Sequence, residues 1–363
     1  MRDPAAIDPT ITDRALALCA GEGFTLAGAA TLAPSSRSRE LRDWLDAGLH
    51  GEMTWLADTI ADRADPARLL RGARSVVMVA DAYWPRGSPP DEHTPGRIAR
   101  YCRGRDYHAT IKRRLRRVCD ALRADRPGAG FRTFCDTAPV HERELAAICG
   151  LGWIGKHTLL IHPRIGSWLV LGGFLTTLAL GQGGPSEPDR CGSCTRCIDA
   201  CPTGAISPYR VDARACISYL TIEHESSIDR ALADRLAPWL VGCDICQEVC
   251  PHNSPRAAGS PGLPPILGDY TPRRTGFDPL DVLAWDESTR RARFATSAMK
   301  RVSLVQMKRN ALLVARAALR DARSDGTARV TLAARARDIV WDATEHEIVR
   351  AAARDLLGAL GPD

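Results

Sequence analysis

Long hydrophobic runs are the first thing missing from this 363-residue chain. No stretch approaches the ~20 apolar residues of a membrane span. The longest apolar run, Trp168 to Leu180, is broken by Gly172 and Gly173 and reads as buried strand. The N-terminus, Met1-Arg2-Asp3-Pro4, has no apolar signal core, so an oxidising compartment and its disulfides are not expected. No G-x-G-x-x-G follows a strand, which argues against flavin or nicotinamide. Apolar content of 45% with 25% charged residues is ordinary for a soluble globular protein, and the length suits two or three domains.

Cysteine is not scarce. Eight of the thirteen lie between Cys191 and Cys250. Cys191, Cys194, Cys197 and Cys201-Pro202 form a C-x₂-C-x₂-C-x₃-C-P run. Cys243, Cys246 and Cys250-Pro251 form a second run one cysteine short, with Cys216 alone between them. In such runs three thiolates serve one cubane and the fourth reaches a neighbouring cluster. The spacing therefore assigns Cys191, Cys194, Cys197 and Cys250 to one [4Fe–4S] cluster, and Cys201, Cys216, Cys243 and Cys246 to another. Zinc ligands usually come as separated C-x₂-C pairs, and disulfides would need an oxidising compartment. The chain is expected to move electrons in the cytoplasm, with Cys19, Cys102, Cys119, Cys135 and Cys149 as free, buried thiols.

Net charge is +6, unevenly placed: Arg97 to Arg117 holds nine Arg or Lys against one acid, Asp106. A second basic region runs from Arg290 to Arg320 and includes Lys300-Arg301 and Lys308-Arg309. Such patches suit a polyanion, or are solvated helix faces. Helical apolar spacing covers 12–20 and 39–49. Tyr107, Ile111, Leu115, Val118 and Leu122 make one face of a basic helix whose other face carries Lys112, Arg113, Arg116 and Arg117. Strands are expected at 75–80, 131–135, 159–161 and 168–178, giving an α/β or α+β region. A Gly/Pro linker near 182–189 and a connector at 254–272 set off the cysteine region, and helices fill 302–319, 330–340 and 345–360. The division is 1–183, 184–254 and 255–363.

Asp136, between a strand and the helix from Glu142, stands where side chains often enter an active site; a turn or N-cap role fits it equally. In Leu151-Gly-Trp153-Ile-Gly155-Lys156-His157-Thr158 the glycines permit close approach to a bulky ligand, or simply a tight turn. Asp91-Glu-His93-Thr-Pro-Gly96 matches a D-x-H-x-x-G pattern by which some cobalamin enzymes offer histidine to cobalt. It lies in a Pro-rich loop rather than at a strand–helix junction, so chance explains it better.

Taken together, the chain resembles the epoxyqueuosine reductases, cobalamin-dependent iron–sulfur enzymes. The resemblance rests on Gly51-Glu-Met-Thr-Trp-Leu56, Ala99-Arg-Tyr-Cys-Arg-Gly104-Arg-Asp-Tyr-His108, Asp136-Thr-Ala-Pro-Val140, Gly150-Leu-Gly-Trp-Ile-Gly-Lys156 and Val211 to Glu223, besides both cysteine runs. It implies an α+β multidomain chain: an N-terminal α/β cobalamin-binding domain, a ferredoxin-like domain with two [4Fe–4S] clusters, and a C-terminal all-α HEAT-like domain. It further implies reduction of epoxyqueuosine to queuosine at the wobble position of tRNA. Electrons would pass from the clusters to cobalamin, starting from an external low-potential donor. Asp136 would supply the proton, its pKa raised by burial beside corrin and substrate. Arg63, Trp153, Lys156, His157 and Ser167 would touch cob(II)alamin, the basic helices would meet tRNA phosphates, and the chain would act as a monomer without a membrane. Two departures stand out. Leu171-Gly172-Gly173 replaces a frequent Leu-Gly-Glu, and Asp234 to Cys243 replaces a more polar lead-in to the second cysteine run.

Two rivals are weaker. A reductive dehalogenase usually carries a twin-Arg leader and has no use for a basic helical C-terminal region. A plain electron carrier does not need the long segment before the clusters.

Overall fold

Eight consecutive residues buried on both faces, Ser75–Ala82, explain why no polar alternation marks the central strand in the sequence. Val77 and Val79 pack to one side with Ile111, Leu115, Val118 and Leu122, while Val76, Met78 and Ala80 pack to the other with Leu145, Ala146 and Cys149. A layer of helix therefore covers each face of the sheet. The computed structural model describes residues 7–85, 96–181, 187–254, 265–319 and 326–360. His93 of the D-x-H-x-x-G pattern, and much of the linkers near 182–189 and 254–272, lie outside the described residues.

In chain order the elements that position the site are α1 (Pro9–Gly21), β1 (Leu26–Thr31), β2 (Ser75–Ala82), β3 (Arg97–Ile98), α2 (Tyr107–Asp125), β4 (Phe131–Phe134), α3 (Glu142–Ile148) and β5 (Leu169–Thr176). After the first cysteine run come α4 (Ile217–Ile222) and β6 (Trp239–Val241), then the long helices α5 (Leu304–Leu319), α6 (Gly326–Trp341) and α7 (Glu347–Leu360). Asp8 and Asp106 start α1 and α2 by accepting from backbone N–H groups of the first turn.

The sheet order is β1-β2-β5-β4. Every pairing in it is antiparallel: Leu26 faces Ala80, Ser75 faces Thr176, and Phe131 faces Thr176. The expected N-terminal α/β unit is thus an α+β one. Alternating strands and helices left both readings open, because periodicity carries no information about strand direction.

A second core joins α5, α6 and α7 to Ile98, Cys102, Leu240 and Val241. Here β3 and β6 form a two-stranded parallel pair. From α5, Asn310 donates to the Thr221 and Leu240 carbonyls, and buried Arg309 donates to those of Leu220, His224 and Ser226. Of these acceptors, Leu220 and Thr221 lie at the end of α4, where carbonyls have no helical partner.

The Gly172-Gly173 departure has a steric reason in this chain. Gly173 lies mid-sheet between Met78 and Phe134, and a Cβ there would come within 2.4 Å of the Val77 carbonyl oxygen. An acidic side chain has no room at that position. Gly173→Ala is expected to lower unfolding stability by about 1–3 kcal/mol, the usual penalty of overpacking, measured by denaturant titration. An unchanged midpoint would mean that β2 yields freely.

Candidate active site

Strand β4 ends at Phe134, and the chain then turns sharply about Asp136. Its φ is 61°, in the left-handed region, and the Thr137 N–H donates to the Cys135 carbonyl at 2.7 Å. This is a three-residue γ-turn, rare and strained for a non-glycine residue. The Asp136 N–H donates to Glu142 Oε1 at 2.6 Å, which ties the turn to the first residue of α3. Helix α3 has no side-chain N-cap bond, so Asp136 is not its cap. Its carboxylate is left to face a concavity.

The partner of that carboxylate is His108, on the first turn of α2. His108 Nε2 lies 3.1 Å from Asp136 Oδ2, and Nδ1 lies 2.7 Å from Asp106 Oδ1. Burial opposes charge on the ring, but the two carboxylates outweigh it and lift the imidazole to about 9. The His108 hydrogen bond in turn holds the Asp136 carboxyl below its usual range against burial, helped by Arg301 and Arg143. Among the protein's own groups, the elevation expected of Asp136 beside corrin and substrate does not arise. It falls instead on Glu142, which burial and the adjacent Asp136 charge push up to about 8. Asp136 and Arg143 remain open to solvent although closely surrounded, as a concave lining requires.

The expected cofactor contacts divide. Arg63 faces the same concavity: Glu142 and Asp136 both act on its charge, and its guanidinium donates to the Val140 carbonyl at 3.4 Å. Trp153 and His157 are buried, and Trp153 Nε1 and His157 Nε2 have no hydrogen-bond partner among the described residues. His157 Nδ1 accepts from the Leu159 N–H at 3.2 Å, and burial with Arg143 nearby lowers the ring to about 4. It is a neutral imidazole with a donor to offer at Nε2. Lys156 does something else, donating to the Gly192 and Cys194 carbonyls of the first cysteine loop. Ser167 is engaged within the protein. It is buried, donates to Gln247 Oε1, and accepts from Asn253 Nδ2, so it joins the chain just before β5 to the cysteine region.

All five isolated cysteines are buried thiols. The other eight influence one another in two sets. Cys250 is pushed up to about 11 by burial and by Cys191, Cys197 and Cys194. Burial and Cys216 raise Cys246, burial and Cys246 raise Cys243, and burial and Cys201 raise Cys216. Cys197 also acts on Cys246, linking the sets. The grouping agrees with the donor sets expected from the spacing, which would bind cubanes as thiolates rather than thiols. Among the described residues no three such side chains stand as a single-ion site, which a four-iron cluster does not demand. Trp153 packs against Cys250 and Cys191, so the first set abuts the 153–157 segment.

Much of the basic sequence is internal. Arg97, Arg100, Arg103 and Arg114 are buried, Arg114 against Asp81, and in the second region Arg309 and Arg316 are buried as well. Arg113, Arg116, Arg117, Lys300 and Arg301 stay exposed, and Lys112 Nζ lies 3.1 Å from Thr137 beside the Asp136 turn. Sequence reasoning gave His108 no role, although Asp106-x-His108 at a helix start was the available signal.

Known proteins share these features. A family model described as a 4Fe-4S double cluster binding domain matches residues 190–253, and one described as epoxyqueuosine reductase QueG, DUF1730 matches 63–137. The epoxyqueuosine reductase of Synechococcus sp. (strain CC9605) is 39% identical over 302 residues, covering 80% of this chain and 90% of that protein. The structure of epoxyqueuosine reductase from Streptococcus thermophilus superposes with a TM-score of 0.81 at 25% identity, over 98% of this chain and 92% of that one. An epoxyqueuosine reductase solved with a tRNA-Tyr epoxyqueuosine-modified stem loop shares the fold at 23% identity, with a TM-score of 0.82 over 97% and 91%.

The two thiol sets make a separable prediction. Cys216→Ala should lose about half of the iron bound by reconstituted protein, because eight thiolates serve two clusters. Iron and sulfide analysis checks it, and unchanged iron would remove Cys216 from the ligands.

Proposed function

The chain belongs to the epoxyqueuosine reductase family, and from that membership we propose that it reduces epoxyqueuosine to queuosine at the wobble position of tRNA, with two [4Fe–4S] clusters and cobalamin. The observation that carries this reading is adjacency. One segment, 153–157, meets the first thiol set through Trp153 and Lys156 and presents unpartnered donors at Trp153 and His157. The division into a catalytic region 1–183, a cluster region 184–254 and a HEAT-like helical region 255–363 belongs to the same proposal, as do the cytoplasm, a monomeric state and an external low-potential donor. Among the described residues no helix is long and apolar enough to cross a membrane.

The residues suit a large cofactor carrying amide side chains. Buried N–H groups without partners cost about 1–3 kcal/mol each unless something accepts from them, and amide carbonyls would. Trp153, His157 and Arg63 would hold it, while Lys156 keeps the first cysteine loop seated beside it. When bound, cobalamin supplies a strongly reducing metal that accepts electrons one at a time.

The reaction consumes two electrons and two protons. Both C–O bonds of the epoxide break, a carbon–carbon double bond forms, and the oxygen leaves as water. Asp136 is the group positioned to hand a proton to that oxygen: it is solvent-reachable inside the concavity, and the strained turn fixes its direction. Arg143, anchored by the Thr158 carbonyl at 2.7 Å, and Arg63 offset negative charge beside it. Half-buried Lys112 and exposed Arg113 and Arg116 on α2, with Lys300 and Arg301, are the basic groups near this mouth for RNA phosphates.

The decisive assay is anaerobic. Enzyme reconstituted with iron, sulfide and cobalamin is given a strong reductant and epoxyqueuosine-containing tRNA, and digested nucleosides are analysed by mass spectrometry. Loss of one oxygen is expected; no conversion by fully loaded enzyme would redirect the reading to another reducible substrate. Asp136→Asn should keep both cofactors yet lose turnover by about 100-fold or more, the usual worth of a general acid. Retained turnover would remove Asp136 from that role. Replacing Lys112, Arg113 and Arg116 with Ala should weaken tRNA binding and flatten its salt dependence. The slope of log K against log salt should shrink by about 0.7–0.9 for each phosphate no longer neutralised.

A further inference from the structure

His108 sits between two carboxylates, and counting protons there leads beyond a single acid. A carboxylate offers only acceptors, and a neutral imidazole carries one N–H. Contacts of 2.7 Å to Asp106 and 3.1 Å to Asp136 therefore need one proton more than a neutral ring supplies. Either the ring is an imidazolium, or one of the two acids is protonated. The ring is held in place from both ends: the Tyr107 ring stacks on it at 4.0 Å, and Asp106 also accepts from the His108 backbone N–H at 3.1 Å. At the far end, Lys300 Nζ reaches Asp106 Oδ2 at 3.3 Å and is itself exposed.

We propose that Asp106, His108 and Asp136 form a proton relay in which His108 stores the proton that Asp136 delivers to the departing oxygen. The relay rests on the functional reading above and extends it by naming the source of the acid's proton. His108 Nε2–H passes its proton to the Asp136 carboxylate, Asp136 passes it to oxygen, and solvent recharges the ring. Two passages per turnover match the two protons of the deoxygenation, and the two electrons are those the reaction already consumes. His108 acts through Asp136 and does not itself meet the substrate.

The charged neighbours are of both signs. Lys300 faces Asp106; Arg301, Arg143 and Arg63, with Glu142 and Glu223, surround Asp136; and burial holds the Tyr101 and Tyr107 phenols neutral. The ring stays charged below about 9 and empties as pH rises through that value. Turnover should therefore fall on the alkaline side as the store is lost.

The test has two arms. In the loaded enzyme, deuterium exchange at His108 C2–H, followed by mass spectrometry across pH, reports the protonation midpoint of that ring alone. A midpoint near 9, falling by a unit or more in Asp136→Asn, is expected; one at or below the ordinary 6.5 would overturn the relay. The second arm is kinetic. His108→Gln, which can still hydrogen-bond, should lower kcat by about 100-fold with KM for tRNA nearly unchanged. Free imidazole should partly restore His108→Ala. Unchanged kcat, or a loss confined to KM, would also sink the proposal. A wild-type enzyme that removes no oxygen would take the functional reading down with the relay, whereas a low midpoint removes the relay alone.

Discussion

Buried guanidinium groups must be neutralised, and that requirement seats the cysteine region on the rest of the molecule. Arg97 and Arg100 leave β3 and its following turn to meet Glu248, at 2.8 and 2.7 Å, and the Arg100 N–H donates to Asp244 at 2.8 Å. Burial pushes the Asp244 carboxyl up to about 6, and Arg100 is the largest influence pulling it back. Removing one partner of such a pair typically costs about 3–5 kcal/mol, because the other charge stays buried. Both acids lie inside the second cysteine run, interleaved with Cys243, Cys246 and Cys250. Whatever seats the charges also seats the thiols. The rings of Trp84, Trp168 and Trp239 lie against the same guanidinium groups, which fixes their planes.

This arrangement explains what was legible in the sequence and what was not. The cysteine runs were readable because ligand spacing is a local property of a tight loop. The face of α2 that buries Ile111, Leu115, Val118 and Leu122 was readable for the same reason, at helical rather than loop period. Charge was misleading. Nine basic residues between Arg97 and Arg117 look like a surface for a polyanion, yet four of them are internal. Counting charges along a chain does not reveal that Arg97 and Arg100 will meet Glu248, or that Arg114 will meet Asp81. Strand direction was equally hidden, since β2 is buried on both faces and reads as an unbroken apolar run whichever way its neighbours point.

The candidate site shows the same division. Asp136 was recognisable from its place after a strand, but the direction of its ionisation was not, because that depends on His108 from α2 and Glu142 from α3 meeting at one turn. Two neighbouring carboxyl groups are driven apart: Asp136, with a cationic partner, is held ionised, while Glu142, buried beside that charge, holds its proton toward about 8. Sorting two acids by environment is how one site keeps different protonation states at one pH. Glu142 also accepts from the Asp136 N–H, so the acid that stays neutral helps to hold the turn that aims the other.

On the proposed reading, electrons and protons would reach the site through different parts of the chain. The thiol sets lie against the 153–157 segment, joined to it by Trp153 packing and by Lys156 on the Cys194 carbonyl. The proton-bearing trio is built from the start of α2 and the turn after β4, with Lys300 at its outer end. Both depend on the antiparallel sheet, because α2 packs on it and β4 is one of its strands. A reaction that takes up electrons singly and protons singly needs the two supplies close together but not short-circuited, since a strongly reduced centre with a free path to protons would lose its electrons to solvent. Carrying protons on side chains fixed by ion pairs is a physical way to meter their delivery, even where solvent recharges them.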